Sequence, residues 1–525
     1  MIHKRFVLFC AFILMLGSCA GLVAGDWPTF GHDPQRNGWA PNESKLNTKD
    51  VSQLKLLWKV NIKENKPKSL TALTAPVVAN DVDTTEGVRA VVYVAGSSND
   101  VNAIDAATGK ILWSRQIPMH VLPKDAGMWL CPNNLNATPT VDSSRGLLYV
   151  ISADGALYGL DLGTGKTKVG PIEFVPPFSK DWSLNLWHGI LYTSISQGCG
   201  GAPSGIYSMD VRDPSRPVIR DLIVEHGYGA GIWGRGGVTI GADGRIYAAT
   251  GDGPFDLAHG DYGSAVIEAA PQSLKVLDYY SPLNYRELTR YDLDIGGSSP
   301  AWFSYRNFNL VAVGGKEGVL YLLNADLLGD KDHQTPLYRQ RLGNDKLQYE
   351  QYGIWGGPSA WMDTEGEAWL YVPAWGPPSK KLPKFPVTNG PAPHGSVMAF
   401  RTVIDPETKQ PTLEPAWISR DLDVPEPVAI AGGVVFALST GENTQQTEGS
   451  AVIYHGQKTL TDRQRSENTH RAVLYALDAK TGKTLYESGG DIESWTHFSG
   501  LAIAGGRVYV VDHASNLYCF GLASK

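Results

Sequence analysis

One short pattern returns three times in this chain. Ala103-Ile104-Asp105-Ala106-Ala107-Thr108-Gly109-Lys110-Ile111-Leu112-Trp113 is one copy. Ala476-Leu477-Asp478-Ala479-Lys480-Thr481-Gly482-Lys483-Thr484-Leu485-Tyr486 is a second, and Gly159-Leu160-Asp161-Leu162-Gly163-Thr164-Gly165-Lys166 a third. Each reads as a strand, a tight turn and another strand. The Asp carboxylate accepts from its own downstream backbone, and the Gly supplies a positive φ. The closing Trp or Tyr offers a broad flat face to a neighbouring repeat. A unit that cannot bury its own apolar face must stack on its neighbours, so the repeat governs the architecture of the whole chain.

Degenerate copies fill the intervals, with strands expected over 205–210, 264–268, 319–324, 396–400 and 516–520. Three clear copies and five degenerate ones make eight. Apolar strands such as 147–151, 245–249, 434–438 and 507–511 precede many of them. Inner strands are announced by Thr138-Pro139 and Ser299-Pro300. The unit is a four-stranded antiparallel sheet returning about every 45–60 residues, with longer insertions later. Radial repetition of such sheets predicts an all-β, eight-bladed β-propeller. The last unit ends after its third strand, at Phe520. Its missing outer strand is available over 54–60, with Trp58 in the Trp position of the repeat. Pairing first with last removes two open edges.

Gly contributes 58 of 525 residues and Pro 33, which suits a chain of many turns. The net charge is −7 with no basic run, so a nucleic-acid partner is not indicated. Residues 1–25 read as a signal peptide: His3, Lys4 and Arg5 form the basic end and 6–16 is apolar. Cleavage after Gly25 is one reading. The other takes Leu16-Gly17-Ser18-Cys19 as a lipobox, which would anchor the chain through a lipid on Cys19. No later stretch is long and apolar enough to span a membrane. The expected place is the periplasm or the exterior, with 26–525 forming one propeller domain. Of the remaining cysteines, Cys131 and Cys199 fall near the inner regions of consecutive blades and are expected to pair, with Cys519 a buried free thiol. No CxxCH is present, so no covalent haem is expected.

The Ala-x-Asp-x-x-Thr-Gly-x-x-x-Trp pattern resembles the tryptophan-docking motif of quinoprotein propellers, which use pyrroloquinoline quinone (PQQ). The segment Asp26-Trp27-Pro28-Thr29-Phe30-Gly31-His32-Asp33 is also similar to the opening of PQQ-like propellers. The resemblance covers nearly all of 26–523. It implies PQQ and calcium on the propeller axis, between a stacked Trp and an adjacent-cysteine disulfide. A hard cation polarises a quinone carbonyl while an Asp removes the alcohol proton. Trp233 resembles the Trp under the cofactor. Asp252, in Thr250-Gly251-Asp252, falls at the family's metal-binding Asn, and Asp292 falls near its catalytic Asp, with Asp294 a close rival. Three features depart from the family. No Cys-Cys pair exists, Ser196–Gly201 carries no carboxylate, and the axial segment reads Gly227-Tyr228-Gly229-Ala230-Gly231.

Other motifs say less. Thr164-Gly165-Lys166-Thr167 and Thr481-Gly482-Lys483-Thr484 lack the leading Gly and helix of a phosphate loop. His455, His470 and His497 have no metal-ligand spacing. Asp256, His259 and Asp261 offer a second loop position for a cation. Insertions over 325–356, 376–395 and 439–470 are expected to cover one mouth of the channel, and 445–471 is polar and expected to be mobile. Two functions follow. One is an exported dehydrogenase that oxidises an alcohol or sugar as small-molecule substrate and passes electrons to a separate acceptor. The other is a non-catalytic envelope propeller that binds protein or glycan.

Overall fold

The structure, a computed structural model, describes residues 25–63, 70–125, 127–227, 231–449 and 457–523. The export signal and Cys19 lie outside these residues, Gly25 apart, as do 228–230 of the axial segment and His455. The described residues form eight sheets of four or five strands, plus one two-stranded ribbon at Phe255–Asp256 and Asp261–Tyr262. In chain order the eight blades begin with the inner strands at Val77, Thr140, Lys180, Thr239, Ala301, Ser359, Ala429 and Ala502. Blade six carries an added parallel strand, Val387–Thr388, on Pro411–Ile418. No helix among the described residues is long and apolar enough to cross a membrane.

The ring closes as the sequence predicts. Leu54–Asn61 pairs antiparallel with Asn516–Leu522 and becomes the outer strand of blade eight. A bulge between Leu56 and Trp58 turns the Trp58 ring toward blade one. There its indole N–H donates to the carbonyl of Ala106 at 3.1 Å. The ring lies on Gly109, whose φ is +75° and where an added Cβ would meet the indole at 2.8 Å. The same contact joins later blades: Trp113 donates to Leu162 O at 2.9 Å, and Trp417 to Ala479 O at 2.9 Å. Buried tyrosines reinforce two of these seams. Tyr93 also donates to Leu162 O, and Tyr371 to Ala479 O. Glycine in the turn is therefore required twice, for its dihedral angle and for the flat ring above it.

Cys131 and Cys199 form a disulfide, and Cys519 is a buried free thiol against Tyr509. The bridge ties the connection before blade two to the end of the second strand of blade three.

Candidate functional site: an axial cavity

In an antiparallel blade, the segment entering the inner strand and the segment leaving the second strand emerge at the same end. Repeated radially, these segments meet around the axis. They enclose a cavity of about 470 Å³ to which all eight blades contribute, for example through Thr71, Asn136, Lys180, Arg235, Lys316, Trp355, Glu442 and Phe498. Tyr349, Thr447 and Arg465, from two of the long insertions, line it as well.

The predicted residues Trp233, Asp252 and Asp292 meet in this cavity. Asp252, Asp292 and Asp294 each place a carboxylate oxygen within 4.8 Å of the others. Asp252 leaves the second strand of blade four; Asp292 and Asp294 lie on the approach to blade five. Asp292 is about one-fifth exposed and lines the cavity, whereas Asp294 is fully buried. Asp294 Oδ1 accepts from Trp233 Nε1 at 3.1 Å and from the Gly296 amide at 2.8 Å. Its Oδ2 faces Lys316 Nζ at 3.1 Å but accepts no hydrogen bond.

Lys316 was not foreseen from the sequence. Its ammonium donates to Asp292, ion-pairs with Asp294 and sits 4.8 Å from the Trp233 ring centroid. One ammonium faces three carboxyl groups, so the cluster keeps an excess of negative charge. Burial and the nearby Asp294 push the Asp252 carboxyl up to about 7, against the pull of Lys316. Burial likewise raises Asp292 well above the usual carboxylate range, with Asp252 and Asp294 adding to it and Lys316 opposing. Burial works against the Lys316 charge, but the three carboxylates hold it above the ordinary lysine range. These are the marks of a cluster short of positive charge.

An aromatic layer adjoins the cluster. Trp233 meets Trp355 edge to face at 5.1 Å, and Trp355 stacks on Trp375 at 4.7 Å with an interplanar angle of 4°. Gly297 lets Trp233 lie close, since a Cβ there would fall 2.4 Å from the indole. Phe498 continues the layer, 6.2 Å from both Trp355 and Trp375.

Beyond Phe498 the charge reverses. The Arg235 guanidinium lies 3.2 Å from the Phe498 centroid and 5.0 Å from that of Trp182, and Lys180 Nζ lies 5.4 Å from Trp182. Arg465 is buried and paired with Glu442 at 2.8 Å; Glu442 also meets His497 Nδ1 at 2.7 Å. Within the polar segment 445–471, Arg465 is 2% exposed: Glu442 neutralises it and its guanidinium lies over the Trp129 ring.

The described cysteines include no adjacent pair; Leu130 and Pro132 beside Cys131, and Gln197 close to Cys199, line the cavity next to the Cys131–Cys199 bridge. The loop residues Asp256 and Asp261 do not converge on a cation position: each binds a different histidine, His259 at 2.8 Å and His226 at 2.9 Å.

Residues 27–180 match the model of the glucose/ethanol/alcohol dehydrogenase β-propeller domain. The dehydrogenase subunit of a quinone alcohol dehydrogenase from Komagataeibacter europaeus is 28% identical over 155 residues, 29% of this chain and 18% of that protein. The quinohemoprotein alcohol dehydrogenase of Comamonas testosteroni is 30% identical over 141 residues, 27% of this chain and 17% of that protein. The matches thus span less than a fifth of the length of these relatives. Among solved structures, a europium-containing methanol dehydrogenase superposes with a TM-score of 0.61 at 13% identity, covering 95% of this chain and 98% of that one. The Comamonas testosteroni quinohemoprotein alcohol dehydrogenase gives 0.55 at 15% identity, covering 95% and 81%. The chain is an eight-bladed β-propeller homologous to the quinoprotein dehydrogenase folds. The family-model match ends at Lys180, so Trp233, Asp252, Asp292 and Asp294 lie beyond it.

Proposed function

We propose that the chain is an exported quinoprotein-type oxidoreductase that oxidises the hydroxyl of a small alcohol or sugar and passes the electrons to a separate acceptor. One observation carries the reading: an aromatic layer and three carboxylates converge in one axial cavity of a fold homologous to quinoprotein dehydrogenases. The donor set suits a hard divalent cation such as calcium. It consists of carboxylate oxygens, one of them a buried oxygen met by the Lys316 ammonium alone, and is only partly neutralised by Lys316. Asp252 and Asp294 would hold the cation, and Trp233 would face PQQ. When bound, PQQ would supply a two-electron acceptor and the cation would make it more electrophilic.

The chain's own residues do the rest. Asp292 lines the cavity as Asp252 does; with Asp252 engaged by the cation, Asp292 accepts the proton of the substrate hydroxyl at the oxygen not bound by Lys316. Lys316 fixes Asp292 by an ion pair and keeps it oriented toward the cavity. Asp294 is oriented by Trp233 and Gly296 and keeps a fixed place beside the reacting groups. Trp355, Trp375 and Phe498 keep water from this end of the cavity.

Calorimetry of the purified protein with PQQ and CaCl₂ tests the reading. Saturable binding that requires Ca²⁺ and is lost in Asp252→Ala is expected. Absence of PQQ binding at millimolar Ca²⁺ overturns it and leaves a non-catalytic propeller.

A further inference from the structure

Two cations at the far end of the cavity, half-buried Lys180 and buried Arg235, make no direct ion pair among the described residues. Lys180 Nζ makes no ion pair or side-chain hydrogen bond among the described residues and borders the cavity beside Trp182. Arg235 is 7% exposed, its Nη1 donates to the Phe498 carbonyl at 3.0 Å, and its Nε has no partner. The two acids nearest to hand are committed elsewhere. Glu426 accepts from the amides of Ser499 at 3.0 Å and Gly500 at 2.7 Å. Glu442 binds Arg465 and His497. A buried charge without a partner is costly, and a binding site is where such a cost is retained.

We infer that Lys180 and Arg235 form a carboxylate-binding subsite, walled by Trp182 and Phe498 for a flat ligand. A guanidinium edge and an ammonium supply N–H donors to a planar oxyanion, and charge-assisted bonds of this kind are the strong ones. The aromatic walls select a flat carrier over a tetrahedral anion. The subsite is separate from the three-aspartate cluster, with the Trp233–Trp355–Phe498 layer between them. A ligand bridging both ends is acidic at the basic end and carries its reacting oxygen at the other. The carboxylate belongs either to PQQ, itself a tricarboxylate, or to an acidic substrate such as a hydroxy acid.

The probe is terephthalate in metal-free buffer without PQQ, followed by quenching of tryptophan emission and by calorimetry. This arm stands apart from the proposed oxidoreductase, because neither PQQ nor Ca²⁺ is present. Saturable binding, absent for dimethyl terephthalate, is expected. Lys180→Gln should weaken it about tenfold or more, and Lys180→Arg should restore it. Lys180 makes no bond whose loss would unfold the protein; Arg235→Gln serves as the second variant, with circular dichroism as the folding control. No terephthalate binding, equal binding of the ester, or an unchanged affinity in Lys180→Gln overturns the subsite. A second arm adds PQQ and Ca²⁺. If Lys180→Gln also weakens PQQ and terephthalate competes with it, the carboxylate is the cofactor's. If terephthalate binds the PQQ-loaded protein and PQQ affinity is unchanged in Lys180→Gln, the carboxylate is the substrate's.

Discussion

The indole N–H of Trp233 donates to Asp294 Oδ1 at 3.1 Å, so the aromatic layer and the carboxylate cluster form one hydrogen-bonded unit. Moving the ring moves the carboxylate, and Gly297 leaves the space the ring occupies. The two aspartates separated by one residue therefore differ in kind: Asp294 has its place assigned, whereas Asp292 opens on the cavity.

That difference separates two variants. Asp292→Asn should leave Ca²⁺-dependent PQQ binding intact and lower turnover about 10²–10⁴-fold, because an amide cannot take the substrate proton. Asp294→Asn keeps an oxygen for Trp233 but turns an NH₂ toward the Lys316 ammonium. It should lose PQQ binding and about 1–3 kcal/mol of stability, read from urea unfolding. Normal turnover in Asp292→Asn together with intact binding in Asp294→Asn would reverse the two assignments.

The closing strand is held by its pairing with Asn516–Leu522 and by one indole. Trp58→Ala removes the ring from the Gly109 turn and the hydrogen bond to Ala106 O. Trp58 is half-buried, so the loss should be near the lower end of the roughly 3–5 kcal/mol typical of buried Trp→Ala. Gly109→Ala should also destabilise, since φ is +75° and the new methyl would meet the indole. Thermal unfolding of both variants checks this; an unchanged midpoint for Trp58→Ala would mean that the closing strand holds without it.

The propeller was legible because its turns need particular residues: Asp to accept, Gly to adopt φ > 0, Trp to cover the Gly. Trp233 and Asp252 were legible because Thr250-Gly251-Asp252 marks the end of a second strand. The same topological position carries Lys316 after Gly314-Gly315, Trp375 in blade six, and Glu442 in Thr440-Gly441-Glu442. Read blade by blade at that position, the sequence held four more lining residues, counting Gln197. A Lys after two glycines, or a Glu in a polar loop, ordinarily reads as a solvated turn. Arg235 and Phe498 are 263 residues apart, and no local pattern announces their contact. Charge balance around the axis exists only after the ring has closed.

The Cys131–Cys199 bridge should matter for both stability and the cavity. It closes a separation of 68 residues, so replacing both cysteines with Ser should cost about 2–4 kcal/mol. Leu130, Pro132 and Gln197 flank the bridge and line the cavity, so ligand affinity should fall as well. Urea unfolding and calorimetry of the double variant test the two effects. Unchanged affinity would show that the flanking loops hold their shape without the bond.

Anion affinity at the basic end should fall as pH rises through neutrality. Burial, with Arg235 and then Arg465 nearby, pushes the Lys180 ammonium down to about 7, so Lys180 loses its charge across that range. The groups around it are Arg235, Arg465, Glu442, His497 and, next along its own strand, Asp181. Burial lowers Arg235 only to about 9, so it stays charged; burial, with Arg235 and Arg465 next, keeps His497 neutral, far below its usual value. Burial raises Glu442 to about 7 against the pull of Arg465 and Arg235, and burial raises Asp181 to about 7. As pH rises, Lys180 loses a positive charge while these acids gain negative ones, and all three changes disfavour an anion. A bound carboxylate reverses the shift on Lys180, so binding at pH 8 should take up protons. Calorimetry of terephthalate in two buffers of different ionisation enthalpy measures that uptake directly. Lys180→Arg should keep the affinity but lose most of the proton uptake, leaving the part due to Glu442 and Asp181. Proton release at pH 8, or affinity that climbs between pH 6 and 8, would mean that the cations of this end do not meet the ligand.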